Sequence, residues 1–150
     1  MNIEQGEKAE IRLFPHFKEI FDDSLVRSTE KYSLFDFYGD DVIIELKSRN
    51  YSKDRYPTTM IGMNKINECL NDKSNKSYYF VFEFTDGLYY WRFTEKRYLK
   101  CKQEWRGTNK RGYWEESLYL MIPVDKLKPL NIENDVDPEG IGECERTNPL

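Results

Sequence analysis

The chain has 150 residues, 39% of them hydrophobic and 15% aromatic, enough for one self-sufficient core and too aromatic for a disordered chain. No apolar run approaches the roughly 20 residues of a membrane span, and the charged start MNIEQGEKAEIR reads as lacking a signal peptide. The net charge of −4 conceals a split: residues 1–45 carry 5 basic and 11 acidic side chains, 46–130 carry 17 and 10, and 131–150 carry 1 and 6.

Phe14, Phe17 and Phe21, flanked by Ile11, Ile20 and Leu25, predict a helix over about 5–25. Pro15 kinks or restarts it. Glu10 shares the face of the three phenylalanines, where a carboxylate is costly unless something there needs it. The alternative is an exposed glutamate at the edge of the stripe. Residues 34–38 and 42–47 read as two strands around the turn Gly39-Asp40-Asp41. The unbroken run Val42, Ile43, Ile44 marks a strand covered on both faces. Tyr56-Pro57-Thr58-Thr59 offers hydroxyls at a helix start, where backbone N–H groups favour phosphate. Met63, Ile66 and Leu70 follow at helical spacing, with Thr59 or Gly62 near the beginning.

SYYFVFEF (77–84) and LYYWRF (88–93), joined through Thr85-Asp86-Gly87, predict a hairpin. Residues 95–113 read as basic and irregular, 117–124 as a last strand ending near Pro123, and 127–130 as a closing segment. The acidic, turn-rich stretch 131–150 reads as a mobile tail, leaving 1–130 as the domain. Helix, two strands, helix, then two or three strands describe an α/β sandwich with a central sheet.

Cys69, Cys101 and Cys144 are odd in number and show no zinc spacing, and His16 is the one histidine. Disulfide scaffolds, zinc fingers and His-dependent sites are therefore poor fits, and a reducing, cytoplasmic compartment suits the chain.

The chemistry concentrates in Asp36 and Glu45-Leu46-Lys47. Along a strand, Glu45 and Lys47 share a face. If Asp40 and Asp41 are the central turn residues, Asp36 lies directly opposite Glu45. If Gly39 and Asp40 are, Asp36 opposes Ile43 and reaches Glu45 diagonally. Directly opposed Cβ atoms are about 4.5–5.5 Å apart, and two carboxylates that close stay ionised only with a cation between them. A hard cation with oxygen ligands, Mg2+ or Mn2+, meets that need, and a lysine beside it can orient water or neutralise charge on a phosphate. The opposing reading is an amphipathic hairpin with its charges in water.

This pattern resembles the PD-(D/E)XK nuclease superfamily, the restriction-endonuclease-like fold. Asp36 takes the place of the strand aspartate and Glu45-Leu46-Lys47 that of the (D/E)XK; the family's proline is absent, since Phe35 precedes Asp36. The resemblance covers roughly residues 6–93. It implies a mixed central β-sheet flanked by helices, with an αβββαβ-type core. It also implies a metal-dependent nuclease, with Asp36, Glu45 and Glu10 as metal ligands and Lys47 as a catalytic partner. Glu7 and Glu19 compete with Glu10 for the helix position, and Lys65 is the candidate basic residue on the second helix.

Arg49, Lys53 and Arg55 follow the motif directly. Arg106 and Arg111 lie in a stretch where basic residues alternate with Tyr98, Trp105, Tyr113 and Trp114, a mixture suited to phosphate contacts and base stacking or to a solvated loop with its aromatics turned inward. Arg49, Arg55, Lys65, Arg106 and Arg111 are thus the candidate nucleic-acid contacts. The expected partner is nucleic acid, chiefly DNA, without a membrane. Many nucleases of this fold act as homodimers, and no surface in the sequence announces one. The competing functions are a non-catalytic nucleic-acid- or protein-binding module on the same fold, and a β-rich interaction protein. The richness in Lys, Asn and Tyr suggests an A/T-rich, viral genome.

Overall fold

A computed structural model describes residues 3–110 and 112–132; the expected tail lies almost wholly outside them. The first helix, α1, spans Ile3–Ile20. Ala9, Leu13 and Phe17 recur every fourth residue on its buried side. Pro15 neither breaks nor restarts it. The proline faces solvent, and the carbonyl it deprives of a partner belongs to Ile11, itself exposed, so water can serve it. The helix ends before Leu25 because Asp22 takes over: its Oδ1 accepts the Ser24 N–H at 2.9 Å and its Oδ2 accepts the Asp41 N–H at 2.9 Å. One carboxylate thus stops α1 and pins the distant strand turn.

Strands β1 (Val26–Arg27), β2 (Phe37–Tyr38) and β3 (Val42–Ser48) follow. The strand expected over 34–38 keeps only its last two residues. After a 3-10 turn, 58–62 form β4 (Thr58–Gly62) and lead into α2 (Met63–Asn71). The Tyr56–Thr59 hydroxyls therefore do not open a helix; Thr59 is buried in β4. The hairpin of β5 (Ser77–Phe84) and β6 (Gly87–Arg92) turns on Thr85 and Asp86, with Phe84 paired to Gly87.

Residues 95–113 are not irregular. They hold a short helix, α3 (Glu95–Leu99), capped by Thr94 accepting the Arg97 N–H at 3.0 Å, and β7 (Lys102–Lys110). β7 pairs along its length with β8 (Tyr113–Pro123), which is longer than expected, and β9 (Lys128–Pro129) closes the chain.

Six strands form a mixed sheet in the order β1-β2-β3-β5-β6-β9, with β3 and β5 parallel and the other neighbours antiparallel. The parallel pair is joined by the β4–α2 crossover, as parallel neighbours require. Strand parity divides the apolar side chains. Ile44, Leu46, Tyr79 and Val81 pack on Leu13 and Phe17 of α1. Ile43, Phe80 and Phe82 pack on Ile61, Ile66, Leu120 and Ile122, from α2 and a second sheet ordered β4-β8-β7. The central sheet is therefore covered on both faces. This is the α/β, restriction-endonuclease-like arrangement, with β4 and the second sheet added to its helix, strands and crossover.

Candidate active site

β2 stops at Phe37 while its neighbour β3 runs on to Ser48, so the edge of β3 past Ile44 has no strand beside it there. Asp36 fills the gap. Its N–H donates to the Ile44 carbonyl at 3.1 Å, and its Oδ2 accepts the Leu46 N–H at 2.8 Å. Its side chain thus takes the backbone donor that a longer β2 would have taken. The register pairs Phe37 with Ile44 and Tyr38 with Ile43, and the Gly39 N–H donates to the Val42 carbonyl at 2.8 Å. Asp40 and Asp41 are the central turn residues, and the register, continued by one position, sets Asp36 against Glu45.

Glu45 is 3% exposed, and with Thr59 it makes up the buried polar side chains among the described residues. Its Oε2 lies 3.1 Å from Lys47 Nζ and 3.0 Å from Lys65 Nζ. Its Oε1 is buried with no hydrogen-bond partner. Lys65 is delivered by the first turn of α2, where Met63 and Ile66 point into the core. The same ammonium donates to the Leu34 carbonyl and lies 5.5 Å from the centre of the Phe35 ring.

Burial pushes the Asp36 carboxyl up to about 8; the Glu45 charge adds to this, the Leu46 N–H opposes it, and Glu10 and a side-chain hydrogen bond to Glu45 raise it further. Two lysines serve one oxygen of Glu45, while the other, Oε1, is buried without a hydrogen-bond partner. That orphaned oxygen and that proton-holding carboxyl fit a hard divalent cation bound through oxygen. Among the described residues no three His, Cys, Asp or Glu side chains converge as a ready-made cage. A carboxylate pair is nonetheless a familiar protein share for Mg2+, which keeps waters and takes substrate phosphate oxygens at its other positions.

Glu10 stands apart from this pair. Its Oε1 accepts Arg27 Nε at 3.0 Å. Glu10, Arg27 and Asp36 line one cleft of about 510 Å³, which Glu7 also lines and the 28–31 loop walls; Glu19 does not line it and is exposed on α1. Arg27 was invisible to pattern reading, since β1 is two residues long and its ion-pair partner lies 17 positions away. It sits opposite Phe37 in the sheet, beside Asp36.

The remaining basic candidates scatter. Arg49 serves the fold: its Nη2 donates to the Met60 carbonyl at 2.9 Å, and its guanidinium packs 5.8 Å from the Phe82 ring centre. Burial lowers its proton affinity. Arg55 is exposed, 5.4 Å from the Tyr56 ring centre. Arg106 is exposed on β7, 2.8 Å from Glu104. Arg111 lies outside the described residues. Cys69 is buried, which pushes its thiol up to about 12, and Cys101 is half-buried; both are free. Among the described residues no helix is long and apolar enough to cross a membrane.

A sheet with an acidic hairpin at the end of a short strand, and a lysine two residues past its glutamate, defines the PD-(D/E)XK class. Residues 31–130 match the family model described as "Phage putative PDDEXK endonuclease", and the chain belongs to that family. The match contains Asp36, Glu45, Lys47 and Lys65 and leaves out α1 with Glu10. The description is of an endonuclease, whose substrate is nucleic acid, and nucleases of this type generally use divalent metals. Neither a curated protein nor a solved structure matches the chain.

Proposed function

We propose that the protein is a metal-dependent nuclease that hydrolyses phosphodiester bonds in DNA as an endonuclease. Mg2+ or Mn2+ would be held by Asp36 and Glu45. The observation that carries this reading is the opposed carboxylate pair, Glu45 buried and Asp36 half-buried, with Glu45 Oε1 left without a hydrogen-bond partner. A bound divalent ion would supply Lewis acidity and a water of lowered pKa. Glu45 anchors Lys47, whose side chain is 32% exposed, so its ammonium reaches from the buried carboxylate toward solvent. There it orients the attacking water and offsets charge gathering on the phosphoryl oxygens. Lys65 holds the same oxygen of the Glu45 carboxylate. Glu10 holds Arg27 by Nε alone, which leaves the outer edge of the guanidinium for a phosphate in the shared cleft.

The test is calorimetric titration of Mn2+ into wild-type and Asp36→Ala protein, with nicking of supercoiled plasmid measured on the same samples. Both signals are expected in the wild type and neither in the variant. Nicking that persists in Asp36→Ala protein would sink the assignment. The second reading, a non-catalytic binding module, has one observation in its favour: Glu45 already has two ammonium partners and Glu10 already has Arg27. A wild type that neither takes up Mn2+ nor nicks would favour it.

A further inference from the structure

The edge of the central sheet away from the carboxylate pair carries a second charged cluster. Arg92, Arg97, Lys126 and Lys128 line one notch of about 20 Å³ together with Tyr90 and Trp91, and no acidic residue lines it. The chain as a whole has a net charge of −4, so this concentration of cations is local. Among the described residues, Arg97, Lys126 and Lys128 have no carboxylate within ion-pair distance.

The strand register places the cluster on one face. Arg92 is paired with Tyr79 across β5 and β6, and Lys128 with Tyr90 across β6 and β9. Paired residues share a face, and Tyr79 and Tyr90 belong to the layer packed on α1. Lys126 ends the 3-10 turn Val124–Lys126 that leads into β9. Arg97 comes from α3, and its Nη1 donates to the Arg92 carbonyl at 3.3 Å. Burial raises the proton affinity of the Tyr79 hydroxyl, and the Arg92 and Arg97 charges both oppose that rise. The two guanidinium groups thus lie within electrostatic reach of one hydroxyl. Glu45 is in the neighbouring row, paired with Phe80, which is paired with Trp91, and that row faces the other layer. The cations are therefore on the opposite face of the sheet from Glu45, and at least two strand spacings, about 9–10 Å, away.

A lysine on an edge strand guards it against pairing with another chain, which accounts for Lys128. It does not account for Arg92, which is half-buried and donates by Nη2 to Ser77 Oγ at 3.1 Å. Nor does it account for Arg97, which α3 returns toward another cation; Thr94 caps that helix, so the return is fixed by the fold. The notch has room for about one oxygen-sized group, with the exposed Lys126 and Lys128 beside it. A phosphate group suits that arrangement. One of its oxygens enters the notch while the others meet the ammonium groups and the guanidinium forks, which match phosphate geometry. Phosphate is also the anion that nucleic acid, the substrate of an endonuclease, brings.

We propose that this notch is a phosphate-binding site, separate from the carboxylate pair, which holds a phosphate group either free in solution or borne by a nucleic-acid strand. In the second case that phosphate is not the one being cleaved but a second point of hold on the strand. The site does not depend on the nuclease reading.

The experiment titrates inorganic phosphate into the protein in EDTA by calorimetry, with ionic strength held constant by chloride. Wild type, Asp36→Ala and the double variant Arg97→Gln/Lys128→Gln are compared. Arg97 and Lys128 are exposed, and thermal unfolding checks that the double variant folds; should it not, Lys126→Gln carries the same test. Wild type and Asp36→Ala are expected to bind phosphate alike. The double variant is expected to lose about tenfold or more in affinity, as the removal of two charge-assisted contacts implies. A wild type that takes up no phosphate, a double variant that binds as wild type does, or a loss of binding in Asp36→Ala overturns the proposal. A single-stranded oligothymidylate without terminal phosphates is then titrated into the same proteins. Weaker binding by the double variant, with a shallower dependence on salt, assigns the phosphate to nucleic acid. Oligothymidylate binding that the double variant leaves unchanged assigns it to free phosphate, and either result keeps the site. Phosphate uptake by a wild type that nicks no plasmid keeps the site and removes the nuclease reading.

Discussion

At the scale of single residues, the Asp36 carboxyl, raised to about 8 by burial and by Glu45, changes how the metal-free protein responds to neutral buffer. An unfolded chain would ionise Asp36 near 3.8. Between those values the folded state holds a proton that the unfolded state has released. Its contribution to stability is full below about 4 and is lost as pH rises toward 8. The thermal midpoint of wild type, relative to Asp36→Asn, is therefore expected to fall from pH 5 to pH 8 in EDTA. Mn2+ affinity is expected to rise over the same interval, with proton release detected by calorimetry in buffers of different ionisation enthalpy. Asp36 and Glu45 were legible as a pair because a two-residue turn joins them and only local register had to be settled. Arg27 was not legible: its neighbours come from α1 and β2, and nothing in the run Leu25-Val26-Arg27 specifies either.

Among the elements, β4 pairs with β8 over its whole length and is also tied to the central sheet by one side chain. Arg49, at the end of β3, donates to the Met60 carbonyl and so ties the central sheet to the second one. Replacing it with methionine would leave that carbonyl without this donor and is expected to cost about 1–3 kcal/mol. The urea midpoint would fall at constant slope. If Arg49 also touched nucleic acid, the salt dependence of binding would flatten in the same variant; its half-buried position, with the guanidinium engaged by the Met60 carbonyl and the Phe82 ring, predicts that it will not. α3 fell in a stretch read as irregular, whereas α1, α2 and the 77–93 hairpin were legible from their periodicity. β7 was not, because most of its side chains face water and the alternation of apolar and polar residues that betrays a half-buried strand is absent from KQEWRGTNK. Its pairing is supplied by β8 rather than by a core.

For the whole molecule, the order of elements sufficed to indicate a sheet with helices on it, and the β-branched run of β3 indicated cover on both faces. The second sheet was beyond reach, since Thr59 pairs with Ile122 across most of the domain. The same separation in sequence has a kinetic side. The hairpin that opposes Asp36 and Glu45 closes a short loop, whereas Lys65 reaches Glu45 only when α2 docks and β3 meets β5. Short closures cost less entropy and tend to come first. The two acids therefore meet before one of their counter-ions arrives, and the early hairpin carries a repulsion that the finished protein has offset. Stopped-flow refolding is expected to be faster at pH 5 than at pH 8, with the difference shrinking in Asp36→Asn. The carboxylate pair thus acts as a brake on its own assembly, released by protons early in folding and by a lysine late.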